Sequence, residues 1–187
     1  MDMKGLLQKR RSIRKYTNSP IEKEKIDQLV RAALLSPTSR NLRPWEFIFV
    51  EDREMLEKLA KAKPGAEPLK GAALGIVVCA DPQKCDVWVE DASIATIILQ
   101  LQAQDLGLGS CWIQIRERYH QKGISAGEYV KELLGIPEHL QVESIVSLGY
   151  PAESRPEHTD KELLMEKIHW HRYRDNPMGI MLWAPRP

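Results

Sequence analysis

The feature that most constrains this chain is a helical pattern running from about residue 86 to residue 106. Ala92, Ala95, Ile98, Leu99, Leu101, Ala103 and Leu106 cover more than one stripe of that helix. A helix that is apolar on most sides has to be covered on most sides. The domain must wrap around it or offer it to a second subunit. Gly107 supplies the stop. A second constraint is Leu74 to Ala80, LGIVVCA. A continuous apolar run of this length reads as a central strand covered on both faces.

The remaining elements follow from local signals. A first helix is expected over about residues 2–9, with Leu6 and Leu7 inward. Asn18 or Ser19 can cap a second helix, and Pro20 suits its first position. Ile21, Ile26, Leu29, Val30, Ala33 and Leu34 keep helical spacing until Ser36-Pro37 ends it. Trp45 to Val50 reads as a strand, because bulky aromatic and branched side chains favour a pleated surface. Met55, Leu56, Leu59 and Ala60 mark another helix. Ser110 to Ile115 is a strand. Ser125 and Glu128 form a capping box for a helix that Gly135 and Pro137 terminate. Gln141 to Leu148 alternates as a strand does, and Asp160 to Lys167 reads as a short helix. The order ααβαβαβαβα gives an α+β domain with one sheet around a central helix. That domain spans residues 1–167. Residues 168–187 form an aromatic, proline-bearing arm expected to pack on the domain or on a partner subunit.

Composition narrows the function. The chain has 187 residues, 27 basic and 26 acidic, for a formal net charge of +1. A general pull toward nucleic acid or anionic membrane needs a one-sided charge field, so neither partner is expected. No run approaches the roughly 20 apolar residues that span a bilayer. The start is not expected to act as a secretory signal, since no long apolar stretch follows its basic residues. Cys79, Cys85 and Cys111 form neither an even set nor a CxxC pair. A disulfide framework or four-ligand zinc site is not expected, and the cytoplasm is the natural compartment.

Four segments carry possible chemistry. Lys9 to Lys15, KRRSIRK, is strongly basic within a neutral chain. Arg10, Ser12 and Arg14 alternate, so an extended backbone turns them to one side as a phosphate cradle. The bland alternative is a solvated basic run. Ser36 to Phe47, SPTSRNLRPWEF, is a loop whose Thr38, Ser39 and Asn41 can hydrogen-bond a polar ligand, or simply a helix-to-strand turn. In Asp105 to Ile115, Gly107 and Gly109 let the backbone turn and approach a ligand closely. No GxGxxG fingerprint is present, so a Rossmann site is not supported. The fourth segment follows the last strand and carries Gly149, Arg155 and Lys161 ahead of a helix start that would favour anions. Cys79 reads as a small core hydrophobe, Cys111 as packing, and Asp91 as a structural anchor for a loop or partner. His169 and His171 lack a third ligand, so packing or surface roles are expected.

Together these segments resemble the FMN-dependent nitroreductase family. The resemblance rests on R-R-S-I-R, S-P-T-S-R-N-x-x-P-W-x-F, G-L-G-S-C-W after a long helix, and L-G-Y-P-A-E before I-H-W-H-R-Y. It spans roughly residues 4 to 173. It implies an α+β nitroreductase-like fold, with a mixed or antiparallel sheet flanked by helices, in an intertwined homodimer holding FMN at the interface. By the same resemblance, Arg10, Arg11, Ser12 and Arg14 would contact the phosphate, ribityl chain and pyrimidine edge. Pro37, Thr38, Ser39 and Asn41 would reach the flavin from the other subunit. Trp112, Ile113 and Gln114 would run beside the ring, with a backbone N–H facing N5. Lys161 would close on the phosphate. Some members place a polar or basic side chain on the flavin edge from the segment before the second strand. Here that segment is KPGAEPLKG, and no residue in it is matched.

The implied activity is hydride transfer from NAD(P)H through flavin N5 to nitroaromatic or quinone acceptors in a ping-pong cycle. No acid, base or nucleophile side chain is required, because the flavin carries the chemistry. Reductive dehalogenation, flavin processing and a non-catalytic flavin sensor are the alternatives on the same fold.

Overall fold

The computed structural model describes residues 2–121 and 123–173. Helix α1 is Met3–Lys9, capped by Asp2, whose carboxylate accepts from the Gly5 N–H at 2.8 Å. None of its residues is buried, and Leu7 is 56% exposed. The inward Leu7 expected from sequence is therefore wrong, because this short helix lies on the surface of the domain. Residues 10–17 are extended. Helix α2 is Lys23–Leu34, beginning at Glu22 without a side-chain cap. The expected caps Asn18 and Ser19, and Pro20 at the first helical position, lie outside it. Ile21 is buried ahead of the helix, and the chain stays extended to bring it there.

Strand β1 is Trp45–Val50, and α3 is Arg53–Leu59 under an Asp52 cap. A four-residue helix α4, Pro68–Gly71, was not legible in the sequence. Strand β2 is Leu74–Ala80 and α5 is Trp88–Asp105. Strand β3 is Gly109–Gln114. A small hairpin, β4 Tyr119–Gln121 and β5 Ile124–Ser125, likewise lies outside the elements expected from sequence. Helix α6 is Ala126–Leu134, with the expected capping box of Ser125 and Glu128 and with Gly135 at φ 64°. Strand β6 is Gln141–Gly149. The single helix expected over 160–167 is instead two 3-10 turns, Asp160–Glu162 and Met165–Lys167. None of their residues is buried, so no packed face holds a full helix there.

The main sheet has the order β1-β2-β6-β3, and every pairing is antiparallel. Strands β2 and β6 are central and almost wholly buried. The half-exposed alternation expected for β6 does not hold, because helices cover both faces. On one face α2 and α5 pack Leu29, Ala33, Ala92 and Leu99 against Ile76, Val78, Val146 and Leu148. On the other, Leu56, Leu59, Leu69 and Val130 meet Val77, Ile113 and Ile145. Helix α5 buries most of its surface but leaves Ile94 and Ile97 on show, 39% and 36% exposed.

Candidate functional site

The site is built where the extended N-terminal segment meets the open edge of the sheet. Strand β3 is the last strand on its side. In an antiparallel pair, successive residues turn their main-chain groups alternately toward the neighbour and away from it. The Ser110 carbonyl points away from β6, since it accepts from the Ile13 N–H at 2.9 Å. Two and four residues on, Trp112 and Gln114 also present their N–H groups outward. Beyond Ser110 no further strand among the described residues covers them. An uncovered strand edge is a row of main-chain donors and acceptors ready for a ligand.

The basic run lies at the head of this edge. Ser12 and Ser110 form a parallel bridge. The Thr17 N–H donates to the Tyr150 carbonyl, and the Ala152 N–H donates to the Lys15 carbonyl, each at 2.9 Å. The fit is tight at Gly109, where a Cβ would stand 2.8 Å from the Ile13 Cβ. Only glycine lets the two backbones come this close. Tyr16 pins the segment from below. Its hydroxyl is 2.6 Å from the Ile13 carbonyl oxygen and 2.8 Å from Ser147 Oγ, and burial pushes its ionisation above the ordinary range.

The chain after β6 folds back along the same segment. The Arg14 N–H donates to Glu153 at 2.6 Å, and Arg11 donates to the Pro156 carbonyl. The His158 N–H donates to the Gln8 carbonyl at 2.9 Å. Arg11 and His158 help hold the Glu162 carboxyl below its usual range, where the hydrogen bond from His158 is the main cause. Lys161, next to it, is exposed on the first 3-10 turn. Arg10, Arg11, Ser12, Arg14 and Lys161 therefore belong to one neighbourhood. The helix start expected to favour anions there is only a 3-10 turn, so any attraction comes from side chains.

Cys111 marks the inner wall. It is 4% exposed, and burial raises its thiol pKa. The charges of Arg14 and Lys63 oppose that rise, as does a hydrogen bond with Ser12, while Glu153 adds to it. Lys63 thus contributes positive charge felt at Cys111, as Arg14 does. It belongs to the KPGAEPLKG segment, in which no residue matches the family's flavin-edge side chain. The Pro64-Gly65 turn curls its side chain back, with Nζ 2.6 Å from the Pro64 carbonyl oxygen. Nothing local in the sequence distinguishes it from Lys61 or Lys70.

From Trp112 onward, side chains of β3 begin a hydrogen-bonded row. Trp112 Nε1 donates to Gln114 Oε1 at 2.9 Å, and Gln114 Nε2 donates to Glu143 Oε1 at 3.1 Å. Glu143 is 3% exposed, and its Oε2 has no partner among the described residues. Burial raises its pKa, against the Gln114 hydrogen bond and the Arg116 charge.

Pro37, Thr38, Ser39 and Asn41 lie elsewhere. Their loop leads into β1, at the opposite edge of the sheet from β3. Three strand spacings separate the two edges, about 14 Å. The loop instead holds the start of α5, where the Ser39 N–H donates to Asp91 Oδ1 at 2.9 Å. The expected anchoring role of Asp91 is thus toward this loop. Of the histidines, His169 is half-buried and His171 exposed. Among the described residues, no cluster of three or more His, Cys, Asp or Glu could hold a metal ion.

The comparisons with known proteins fall on this same framework. The nitroreductase family matches residues 7–150. The solved structure of an FMN-dependent nitroreductase from Clostridium difficile superposes with a TM-score of 0.90 at 48% identity, over 91% of this chain and 100% of that one. A relative from Archaeoglobus fulgidus, provisionally named NADH dehydrogenase/NAD(P)H nitroreductase, is 40% identical over 169 residues, covering 88% of this chain and 94% of its own. An NADH dehydrogenase of Thermus thermophilus is 26% identical over 181 residues, covering 82% and 88%. The antiparallel sheet, its flanking helices and these matches agree: this chain belongs to the nitroreductase family and has its α+β fold.

Proposed function

We propose that the chain is an NAD(P)H-dependent FMN oxidoreductase, working as a homodimer in the cytoplasm. The observation that carries this reading is the bridge between Ser12 and Ser110. It sets a run of arginines directly beside outward N–H groups on an open strand edge. Cations suit a phosphate monoester, and edge N–H groups suit the acceptor atoms of a flat heterocycle. The donor set therefore fits FMN.

In this reading Arg10, Arg11, Ser12 and Arg14 hold the phosphate, ribityl chain and pyrimidine edge, and Lys161 adds a further positive charge. Arg14 and Lys63 would stabilise negative charge on the pyrimidine side through electrostatics fixed before the reaction. Trp112, Ile113 and Gln114 lie along the ring, with an outward N–H from this stretch serving as its hydrogen-bond donor. When bound, FMN supplies hydride acceptance from NAD(P)H and reduction of a nitroaromatic, quinone or similar electrophile, donor and acceptor using one site in turn. None of the chain's own groups needs to act as acid, base or nucleophile.

A second copy of the chain completes the site. Pro37, Thr38, Ser39 and Asn41 precede β1 at the far edge of the sheet and at the opposite strand end from Ser110, so they lie more than about 14 Å from the arginines of their own chain. A partner's loop would supply that wall. Ile94 and Ile97 on α5, with exposed Leu34 and Leu35 at the end of α2, give the apolar surface such a dimer would cover. Ile168, Trp170 and Tyr173 are exposed at the start of the 168–187 arm, which suits packing on a partner. Residues 174–187 of that arm lie outside the described residues. Three free, buried cysteines suit a reducing compartment. No described helix is long and apolar enough to cross a membrane.

The test is spectroscopic. The purified protein should carry, or take up stoichiometrically, a yellow cofactor whose mass is that of FMN. Anaerobic NADH or NADPH should bleach it, and a nitroaromatic should restore the colour. A strictly monomeric protein that takes up no FMN overturns the reading. A flavin that binds but is not reduced by either nucleotide leaves a binding protein and overturns the activity.

A further inference from the structure

The Ser36–Arg43 loop has an unusual backbone for a segment without glycine. Arg40, Asn41 and Arg43 all adopt positive φ, at 52°, 56° and 48°. Arg40 and Arg43 thus occupy the left-handed region that most L side chains avoid, and Asn41 joins them there with a side chain that tolerates it better. Three such residues within four positions do not persist unless something outside the loop imposes the shape. Within the loop, the Arg43 N–H donates to Thr38 Oγ1 at 3.0 Å, and Arg43 Nε donates to Asn41 Oδ1 at 3.0 Å. Arg40 pairs with Asp86 at the surface, where such a pair contributes little.

The tether to the core is Asp91. It is 2% exposed on the first turn of α5. Its Oδ1 accepts the Ser39 N–H at 2.9 Å, and its Oδ2 accepts the Cys85 thiol at 3.3 Å. The two contacts fix the plane of the carboxylate. The helix that carries it is locked in the core by Ala92, Ala95 and Leu99. A charged acceptor in a dry setting holds an N–H more firmly than a neutral one.

We propose that Asp91 is a positioning residue that holds this loop in the shape that meets the flavin of a second copy of the chain. The proposal rests on the functional reading above and deepens it. Thr38, Ser39 and Asn41 arrive at the ligand already ordered, so binding does not have to order them. Without the Asp91 acceptor the left-handed turn relaxes toward ordinary backbone, and the same side chains present themselves in many orientations.

Three variants of the full-length protein test this. Asp91→Ala removes the acceptor. Ser39→Pro removes the donor without touching the core, and Thr38 already has φ −138° and ψ 156°, which suit a residue before proline. Asp91→Asn keeps the shape and one acceptor oxygen. Two readouts are taken: the rate of trypsin cleavage after Arg40 in apoprotein, and the FMN dissociation constant by fluorescence. Asp91→Ala should cleave about tenfold faster and bind FMN about tenfold more weakly, Asp91→Asn should recover most of both, and Ser39→Pro, which also removes the Ser39 hydroxyl and is read by cleavage alone, should cleave about tenfold faster. Faster cleavage with FMN affinity within about twofold of wild type overturns the positioning role while leaving the flavin reading intact. Unchanged cleavage in both Asp91→Ala and Ser39→Pro overturns the tether itself. Wild-type protein that takes up no FMN overturns the functional reading and this proposal together.

Discussion

The arginine segment and the Ser36–Arg43 loop offer similar chemistry but are held in opposite ways. The arginine segment is fixed through its main chain. Bridges at Ser12 and Tyr16, and hydrogen bonds at Ile13, Lys15 and Thr17, add it to the end of the sheet. Its charged side chains carry no structural duty in the core. The loop pairs with no strand. It keeps a left-handed course through side-chain oxygens, chiefly Asp91 and Thr38. The first region can therefore lose its arginines and keep its shape. The second keeps its shape only while particular acceptors remain.

The largest effect expected from that contrast is on ligand, not fold. Arg10→Ala with Arg14→Ala should weaken FMN binding about a hundredfold or more, because charge-assisted hydrogen bonds contribute about 1.5–3 kcal/mol each. Thermal stability of the apoprotein should move little, since surface substitutions of this kind stay within about 0.5 kcal/mol. Stoichiometric FMN in the double variant would show that the phosphate is held elsewhere. Gly109→Ala attacks the same region through its backbone. The new Cβ would stand 2.8 Å from that of Ile13, so the arginine segment must lift from β3. Stability should fall by about 1–3 kcal/mol, with a parallel loss of FMN affinity. Urea unfolding alongside flavin titration would check both. A fall in neither would mean that the close approach at Gly109 does not hold the segment.

A finer test uses pH on the edge strand. Glu143 is buried beneath Gln114, and burial raises its pKa above the ordinary 4.5. The folded state then binds its proton more tightly than the unfolded chain does. Below 4.5 both states are protonated and there is no penalty. As pH rises from that value to the raised folded-state value, stability is lost. Glu143→Gln should remove this slope, so its stability relative to wild type should grow as pH rises from 4 toward neutrality. A difference that stays flat or shrinks across that range would place a neutralising partner on Glu143.

These contrasts also explain what the sequence disclosed. Residue type and apolar patterning place β1, β2, α5 and β3 within about two residues, because burial of Leu74–Ala80 and of the α5 face leaves a pattern in residue types. The Ser125–Glu128 box was legible because a cap is a local contract between two side chains. The start of α2 was misplaced because buried Ile21 overrode the proline signal at Pro20, a tertiary effect no local rule contains. Gln141–Leu148 looked alternating because Glu143, Ser144 and Ser147 are polar, yet all three are buried, against Gln114 of β3, Thr96 of α5 and Tyr16 of the N-terminal segment. The site followed the same division. Arg10–Arg14 stood out by charge. Lys63 did not, since its relation to Cys111 exists only once the chain has turned at Pro64-Gly65. Nor could the sequence show that Asp91 holds Ser39, 52 positions away.

The smallest effect expected tests the loop from its backbone side. Arg43 has φ 48° and stands immediately before Pro44, where a left-handed residue is doubly disfavoured. Arg43→Gly removes a conformational cost of about 1–2 kcal/mol. Glycine gives back about 0.5–1 kcal/mol through the extra freedom of the unfolded chain. The exposed bond from Arg43 Nε to Asn41 Oδ1 is lost too, at about 0.5 kcal/mol. The main-chain bond to Thr38 Oγ1 remains, since glycine keeps its N–H. These contributions nearly cancel, so stability should stay within about 1 kcal/mol of wild type while FMN affinity falls several-fold. Adding one carbon at Gly109 therefore disturbs fold and ligand together, whereas removing a side chain at Arg43 disturbs the ligand alone. A loss of stability comparable to that of Gly109→Ala would show that the loop is part of the folded framework rather than a ligand-facing element tethered to it.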